Sequence, residues 1–169
     1  MPVFIVLLRA VNVGGTGKLP MSDLKQLCEK AGFENIRTYI ASGNVVAERD
    51  GSGTQAKAAL EAELKTYAGK PVGIIVRTAA EMAEVVALNP FPHRAANRTV
   101  AIFLDHAPPL EAMKDIKGQA NEEVRLSGRE IYVHYPDGIG RSKLRIPAAG
   151  DGTARNMNTV AKLAAMAAE

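Results

Sequence analysis

Glycines, an asparagine and a lysine follow the first apolar run of the chain in an order that suits anion binding. The loop reads Asn12-Val13-Gly14-Gly15-Thr16-Gly17-Lys18 and lies between a predicted strand and a predicted helix. Backbone amides and a lysine at such a place can hold a phosphate. A P-loop does not fit, because it needs a glycine where Asn12 stands and a serine or threonine where Leu19 stands. A weaker anion nest and a plain tight turn stay open.

A second group of polar residues follows a predicted strand late in the chain. Residues 134–143 read HYPDGIGRSK, with His134 and Asp137 ahead of Arg141 and Lys143. The glycines leave the backbone open to close approach, and the two cations suit phosphate or carboxylate. Loops of this kind at the end of a sheet often carry function. An ordinary solvated turn explains Tyr-Pro-Asp-Gly equally well.

Single polar residues at element ends complete the candidates. Arg9 closes the first apolar run, where it either binds a ligand or pairs with an acid such as Asp23. Arg155 precedes the last predicted helix, whose positive end disfavours a cation, so another partner is expected there. The amides of Asn12 and Asn44 either tie loops to backbone or bind a ligand. Capping by Thr153 or Asn156 starts the last helix.

Several familiar chemistries do not fit the sequence. His93, His106 and His134 have no companions at metal-ligand spacing, and a single cysteine excludes a thiolate zinc site. Ser142 with His134 and Asp137 is too local a group for a nucleophilic triad, and no nucleophile elbow or dinucleotide fingerprint is present. The sequence therefore predicts no metal and no cofactor, and it leaves open whether the protein is an enzyme.

Composition favours a globular protein with a modest basic surplus. Hydrophobic residues make up 47% of the 169 residues and charged residues 23%, with a formal net charge of +3. Residues 141–155 hold four cations and one acid, a surplus equal to that of the whole chain. This permits an anionic partner. A nucleic-acid partner rests only on this segment, because few aromatic residues are present to stack on bases.

The chain start and the lone cysteine indicate the compartment. The run MPVFIVLLR is short, has no leading positive segment and reads as a first strand rather than a signal peptide. No window reaches the ~18 apolar residues that a membrane span needs. Cys28 falls in an apolar helical pattern and is expected to be a small buried hydrophobe. We therefore predict a cytoplasmic protein with no membrane partner, while the sequence says nothing of its oligomeric state.

Hydrophobic periodicity predicts six elements in the first half. They are a strand over residues 3–8, a helix from Pro20 to Ala31, a hairpin of Ile36 to Ala41 with Asn44 to Glu48, a helix over 56–67, and a strand from Val72 to Arg77. This β, α, β, β, α, β order is the ferredoxin-like pattern, with a four-stranded antiparallel sheet under two helices.

The second half echoes that order. Thr78 and Glu81 form a predicted capping box for a helix over 79–88. A strand at 99–104, a short helix at 108–117, a hairpin of 124–126 with 130–135 about Ser127-Gly128, and a helix over 156–167 follow. No closing strand and no residue-level repeat is evident. The predicted fold is α+β, with two ferredoxin-like (alpha-beta plait) units at residues 1–78 and 79–169 whose antiparallel sheets are covered by helices.

Five ordered segments resemble a known bacterial family, grouped as domain of unknown function 1697. They are LLRAVNVGG with KLPM, TYIASGNVV, LNPFP, HYPDGIGRSKL and TARNMNTV, between Leu7 and Val160. The chain departs from the family pattern at Ala10, where glycine is usual, and at Met157, where tryptophan is usual. The resemblance implies a tandem of ferredoxin-like units and adds no mechanism.

The leading hypothesis is a module that binds a small phosphorylated or carboxylated ligand in a basic cleft between loops. The alternatives are an enzyme that uses His134 or Asp137 as acid or base beside Arg141 and Lys143, and a nucleic-acid-associated protein. The cleft requires that distant loops converge. The residues predicted to line it are Arg9, Asn12, Gly14, Gly15, Lys18, Ser42, Asn44, His134, Asp137, Arg141, Lys143, Arg155 and Asn156.

Overall fold

A computed structural model describes residues 1–9, 19–39, 43–150 and 152–169 of the chain. The chain forms two compact units, one of residues 1–82 with 163–169 and one of residues 83–162. The predicted division into domains 1–78 and 79–169 stays a prediction.

The first unit has the predicted ferredoxin-like topology. Its elements are β1 (Val3–Leu8), α1 (Met21–Lys30), β2 (Glu34–Thr38), β3 (Asn44–Glu48), α2 (Gly53–Ala68) and β4 (Ile74–Thr78). The strand order is β2-β3-β1-β4, and every neighbouring pair is antiparallel. The strand order places β1 in the interior of the sheet, where its continuous run of apolar residues is buried on both faces.

Local signals set the ends of both helices in this unit. Pro20 precedes α1, and Gly32, with φ +95°, follows it. Ser52 and Gln55 form a capping box at the start of α2, and Gly69 ends that helix in the left-handed conformation. Leu24 of α1 and Leu60 of α2 are fully buried against the sheet face that carries Phe4, Val6 and Val45. This face is the core of the first unit.

Strand β2 differs from the prediction. It runs from Glu34–Thr38 rather than from Ile36 to Ala41, and residues 40–42 lie outside the described part of the chain. Its pairing with β3 shifts register between Glu34 and Arg37, where Asn35 has φ +51°. A bulge of this kind breaks the alternation of side chains along an edge strand. The hydrophobic pattern of the sequence therefore does not show where this strand begins.

The second unit has the same sheet topology. The remaining elements are α3 (Ala79–Ala87), β5 (Thr99–Phe103), β6 (Glu123–Ser127), β7 (Glu130–His134), β8 (Thr153–Asn156) and α4 (Met157–Ala167). The strand order is β6-β7-β5-β8, again antiparallel throughout. Gly128, with φ +56°, begins the two-residue turn of the β6–β7 hairpin, as a type II′ turn requires. The predicted fold class of two antiparallel sheets with helices is confirmed.

The predicted helix over 108–117 is shorter and of another type. A 3₁₀ helix spans Leu110–Asp115, and Lys117 then pairs with Arg145 in an isolated bridge. Pro108 and Pro109 supply no backbone donors at its start, and Leu110 is 79% exposed, so no continuous apolar face supports an α-helix.

The sequence prediction missed strand β8, which closes the second sheet beside β5. It has only four residues, of which Ala154 alone is apolar, so no hydrophobic periodicity marks it. With β8 in place, α4 follows it as α3 follows β4, so α4 is not the second helix of the plait. The position of α2 is occupied in the second unit by residues that follow β7, of which 135–150 and 152 are described and include the 3₁₀ helices Ile139–Arg141 and Pro147–Ala149.

Arginines and capping residues occupy corresponding positions in this arrangement. Arg77 and Arg155 are the penultimate residues of β4 and β8, and each guanidinium Nη1 donates to the carbonyl of the preceding residue, at 3.2 and 3.0 Å. A capping residue follows each arginine. Thr78 and Glu81 form the predicted capping box of α3, and Asn156 Oδ1 accepts from the Thr159 amide at 2.9 Å. These are matches at single positions, and the absence of a residue-level repeat stays a prediction.

None of the helices in the described ranges is both long enough and apolar enough to cross a membrane.

Candidate ligand-binding recess

Two segments of the second unit enclose a recess of about 230 Å³. One segment precedes β6, and the other is the polar stretch after β7 that the sequence singled out. The residues that line the recess are Gly118, Ala120, Asn121, Glu122, Tyr135, Asp137, Gly138, Arg141, Ser142 and Lys143. Three predicted site residues, Asp137, Arg141 and Lys143, are therefore brought together.

Backbone contacts hold the two segments in place. The Lys117 and Arg145 amides each donate to the other residue's carbonyl, at 2.9 and 2.8 Å. Gly118 has φ +70°, and a Cβ atom there would lie 2.1 Å from the Lys143 carbonyl oxygen. Only glycine allows this approach, which sets the distance between the two walls of the recess.

A buried carboxylate fixes the segment that carries the cations. Glu122 is buried, its Oε2 accepts a hydrogen bond from the Ser142 hydroxyl, and its Oε1 accepts one from the Ala120 amide at 2.7 Å. The Leu144 amide donates to the Ser142 hydroxyl at 3.1 Å. The hydrogen bond from Ser142, followed by that from the Ala120 amide, lowers the pKa of Glu122. Glu122 thus stays charged and anchors the residue between the two cations.

The charged groups at the surface of the recess balance one another. Arg141 and Lys143 are exposed, and their side chains make no hydrogen bond or ion pair with the residues that the structure describes. Asp137 is exposed as well, and its Oδ2 accepts from Asn121 Nδ2 at 2.9 Å. Two cations therefore face two carboxylates, those of Asp137 and Glu122. The recess offers free donors without a net positive charge.

His134 does not line the recess. It is buried, and its ring lies 6.0 Å from that of Phe91. Its Nδ1 is 3.0 Å from the Thr99 hydroxyl, which donates to the Ala95 carbonyl at 3.1 Å. Because that hydroxyl has one proton, Nδ1 must be the donor. Neighbouring residues on a strand lie on different faces of the sheet, so His134 lies on the face away from Val133. The His134 ring is therefore separated from the cations of the recess.

Arg155 and Asn156 also lie outside the recess. Arg155 is part of β8 opposite Ala101, and burial lowers the pKa of its guanidinium. Asn156 caps α4, the structural role that the sequence offered for it. Met157, which follows, is buried at the start of the helix.

The predicted residues of the first unit have structural contacts. Asn44 is buried, and its amide Nδ2 donates to the Tyr39 carbonyl at 2.9 Å, which ties the ends of the β2–β3 connection. The Arg9 amide donates to the Gly73 carbonyl at 3.0 Å, and its side chain lies against Gly73. Asp23 accepts a hydrogen bond from the Tyr67 hydroxyl at 2.7 Å.

The remaining predicted site residues lie outside the described part of the chain, namely Asn12, Gly14, Gly15, Lys18 and Ser42. The convergence of Arg9, Arg141 and Arg155 on one cleft stays a prediction.

Sequence reasoning missed the wall of the recess formed by residues 118–122. Glu122 is an acid among several, and nothing local marks it as buried or as a partner of Ser142. Gly118 directly follows the predicted short helix at 108–117, a position where glycine commonly ends a helix. The close approach of Gly118 to the Lys143 carbonyl joins residues that are distant in sequence. No local signal could therefore reveal it.

The described residues include no group of three or more histidine, cysteine, aspartate or glutamate side chains that could hold a metal ion. Cys28 is buried in α1, and desolvation raises the pKa of its thiol to about 12. The cysteine is therefore an unreactive core residue, as its pattern predicted.

Comparison with known proteins gives a family and a fold. A search of curated proteins found no relative. Among solved structures, the conserved bacterial protein SP0830 from Streptococcus pneumoniae matches with a TM-score of 0.78 and 20% identity, over 98% of each chain. At that identity the likeness shows the fold alone. The family model described as a protein of unknown function, DUF1697, matches residues 1–132, which shows that the chain belongs to that family.

Proposed function

We propose that the protein binds a small phosphorylated or carboxylated ligand in the recess of the second unit. Arg141 and Lys143 contact the anionic group of the ligand. The observation that carries the proposal is that these two cations border the recess without a protein partner among the described residues. A guanidinium and an ammonium together suit the oxygens of a phosphate or a carboxylate.

Rigidity of the cation-bearing segment supports this function. Ser142 lies between the two cations and is held from both sides, by the Glu122 carboxylate and by the Leu144 amide. Binding groups on a fixed backbone lose less conformational freedom when a ligand arrives. The recess therefore has the properties of a preformed site rather than of a solvated turn.

The size of the recess limits the ligand. A volume of about 230 Å³ is below the ~300 Å³ lower bound usual for drug-sized ligands. The ligand is accordingly a small metabolite-sized anion, and a nucleic acid could place only one phosphate group there.

The test is binding of methyl phosphate and acetate, measured by isothermal titration calorimetry and by thermal shift. The double variant Arg141→Ala/Lys143→Ala should lose this binding. Each charged hydrogen bond is worth about 1.5–3 kcal/mol, so each single variant should weaken binding by about tenfold or more.

A matched control removes the same charge elsewhere. Lys114 and Lys162 are exposed and do not line the recess, so Lys114→Ala/Lys162→Ala should bind both probes like the parent protein. Equal binding by the parent and by the Arg141/Lys143 double variant would exclude this function. Equal losses in both double variants would show that only overall charge matters, which also contradicts it.

A further inference from the structure

The balanced charges of the recess imply a second requirement on the ligand. An anion that contacts Arg141 and Lys143 also approaches the carboxylates of Asp137 and Glu122. Both carboxylate oxygens of Glu122 already accept hydrogen bonds, one from the Ser142 hydroxyl and one from the Ala120 amide. Asp137 differs, since its Oδ2 accepts from Asn121 while no group among the described residues donates to Oδ1. One exposed acceptor therefore remains beside two free donors.

We propose that Asp137 determines specificity by accepting a hydrogen bond from a hydroxyl or ammonium group of the bound anion. The ligand class is then a small phosphate or carboxylate compound that carries such a donor near its anionic group. This inference rests on the proposed function, because it concerns the same recess.

Electrostatics gives the physical reason. A carboxylate in a site for an anion repels that anion, and the repulsion is larger in a recess than in bulk water. A donor on the ligand offsets this repulsion through a charge-assisted hydrogen bond. A plain anion has no such compensation, so Asp137 discriminates against it. This is selection by an unfavourable contact as well as by a favourable one.

Three probes of nearly equal anionic chemistry separate the possibilities in calorimetric titrations. Methyl phosphate has no donor beyond the phosphate, glycerol phosphate carries hydroxyl groups, and ethanolamine phosphate carries an ammonium group. We expect the parent protein to bind at least one of the latter two about tenfold more tightly than methyl phosphate. The probe that binds more tightly than methyl phosphate identifies the donor as hydroxyl or ammonium.

Two variants of Asp137 test the residue itself. Asp137→Ala should abolish the preference and leave methyl phosphate bound as tightly as before or a few-fold more tightly. Asp137→Asn keeps an acceptor but no charge, so a preference for hydroxyl should survive in part and a preference for ammonium should be lost. Thermal unfolding of both variants verifies that they remain folded.

The outcomes for the two proposals differ. Equal affinity of the parent protein for all three probes, or an unchanged ratio in Asp137→Ala, would overturn the role of Asp137 and leave the anion site standing. Absence of binding for every probe would overturn both. Tighter binding of methyl phosphate by Asp137→Ala, together with loss of the preference, would support both.

Discussion

The two sheets share one strand order, yet the chain covers the corresponding face of each in a different way. In the first unit, α1 and α2 lie over it, and Leu24, Leu60 and Leu64 are fully buried. In the second unit, Ile131 and Val133 are buried under a short 3₁₀ helix and the largely irregular residues 135–150, whose Leu144 is only partly buried.

The difference locates the recess. An α-helix over a sheet satisfies its own backbone and presents a regular apolar stripe to the core. The irregular segment that replaces α2 turns sharply at Gly138 and exposes Asp137, Arg141 and Lys143. The same topology thus gives a packed unit at one end of the chain and, in the other unit, a surface with free polar groups. Sites of binding are commonly found on such segments.

The largest effect should separate the two cores. Leu60→Ala removes a fully buried side chain from α2, and it should destabilise the protein by about 3–4 kcal/mol. Leu144→Ala removes the same atoms from a partly buried site, and it should cost about 1–1.5 kcal/mol. Urea unfolding of both variants measures the two values.

Cys28 offers an independent readout of the first unit. Its thiol is buried in the core that contains Leu60, so it should react with a thiol reagent only after that core opens. Leu60→Ala should speed the reaction far more than Leu144→Ala does. Similar losses of stability in the two variants, or similar rates of thiol reaction, would mean that the helices over the first sheet and the segment over the second sheet pack equally well.

A smaller effect should appear at the glycine that joins the walls of the recess. Gly118→Ala forces a Cβ atom against the Lys143 carbonyl at φ +70°, and the expected cost is about 3 kcal/mol with weaker binding of methyl phosphate. Gly128→Ala is the control, since that site has φ +56° and open space around it. It should cost about 1 kcal/mol and leave binding unchanged. Equal costs would show that backbone conformation, rather than close approach, requires Gly118.

The two helix caps should differ by less. Thr78→Ala removes the hydroxyl that accepts from the Glu81 amide and leaves the bond from the Thr78 amide to Glu81 Oε1 without its reciprocal partner, so it should cost about 1.5 kcal/mol. Asn156→Ala removes a single bond to the Thr159 amide and should cost about 1 kcal/mol. Chemical denaturation measures both, and Thr78→Ser should restore most of the loss. A larger loss for Asn156 would argue against this ranking.

The smallest effect concerns acid stability in the second unit. Because the pKa of Glu122 is lowered in the folded protein, its contribution is fully present above the ordinary carboxyl pKa. That contribution is lost as the pH falls through the lowered value. Glu122→Gln should therefore flatten the acid side of the stability profile in pH-dependent thermal unfolding. Glu111→Gln, at an exposed site outside the recess, should keep the parent profile.

Local signals were sufficient for most of the framework. The bounds of β1, the capping box at Thr78, the stop at Gly69 and the β6–β7 hairpin follow from propensities and turn chemistry that act over a few residues. They failed at β8, because a four-residue strand with a central arginine has no periodicity to detect. They failed also at Leu110–Asp115, where two prolines and an exposed leucine favour a 3₁₀ turn.

By itself the sequence determined the type and order of most elements, the α+β class and the family, since each of these depends on short-range patterns or on motifs read in order. Tertiary structure alone decided that Glu122 meets Ser142 and that Gly118 meets Lys143. These contacts join residues 20 or more positions apart, and hydrogen-bond satisfaction and close packing across such distances leave no local trace. The recess exists because of them.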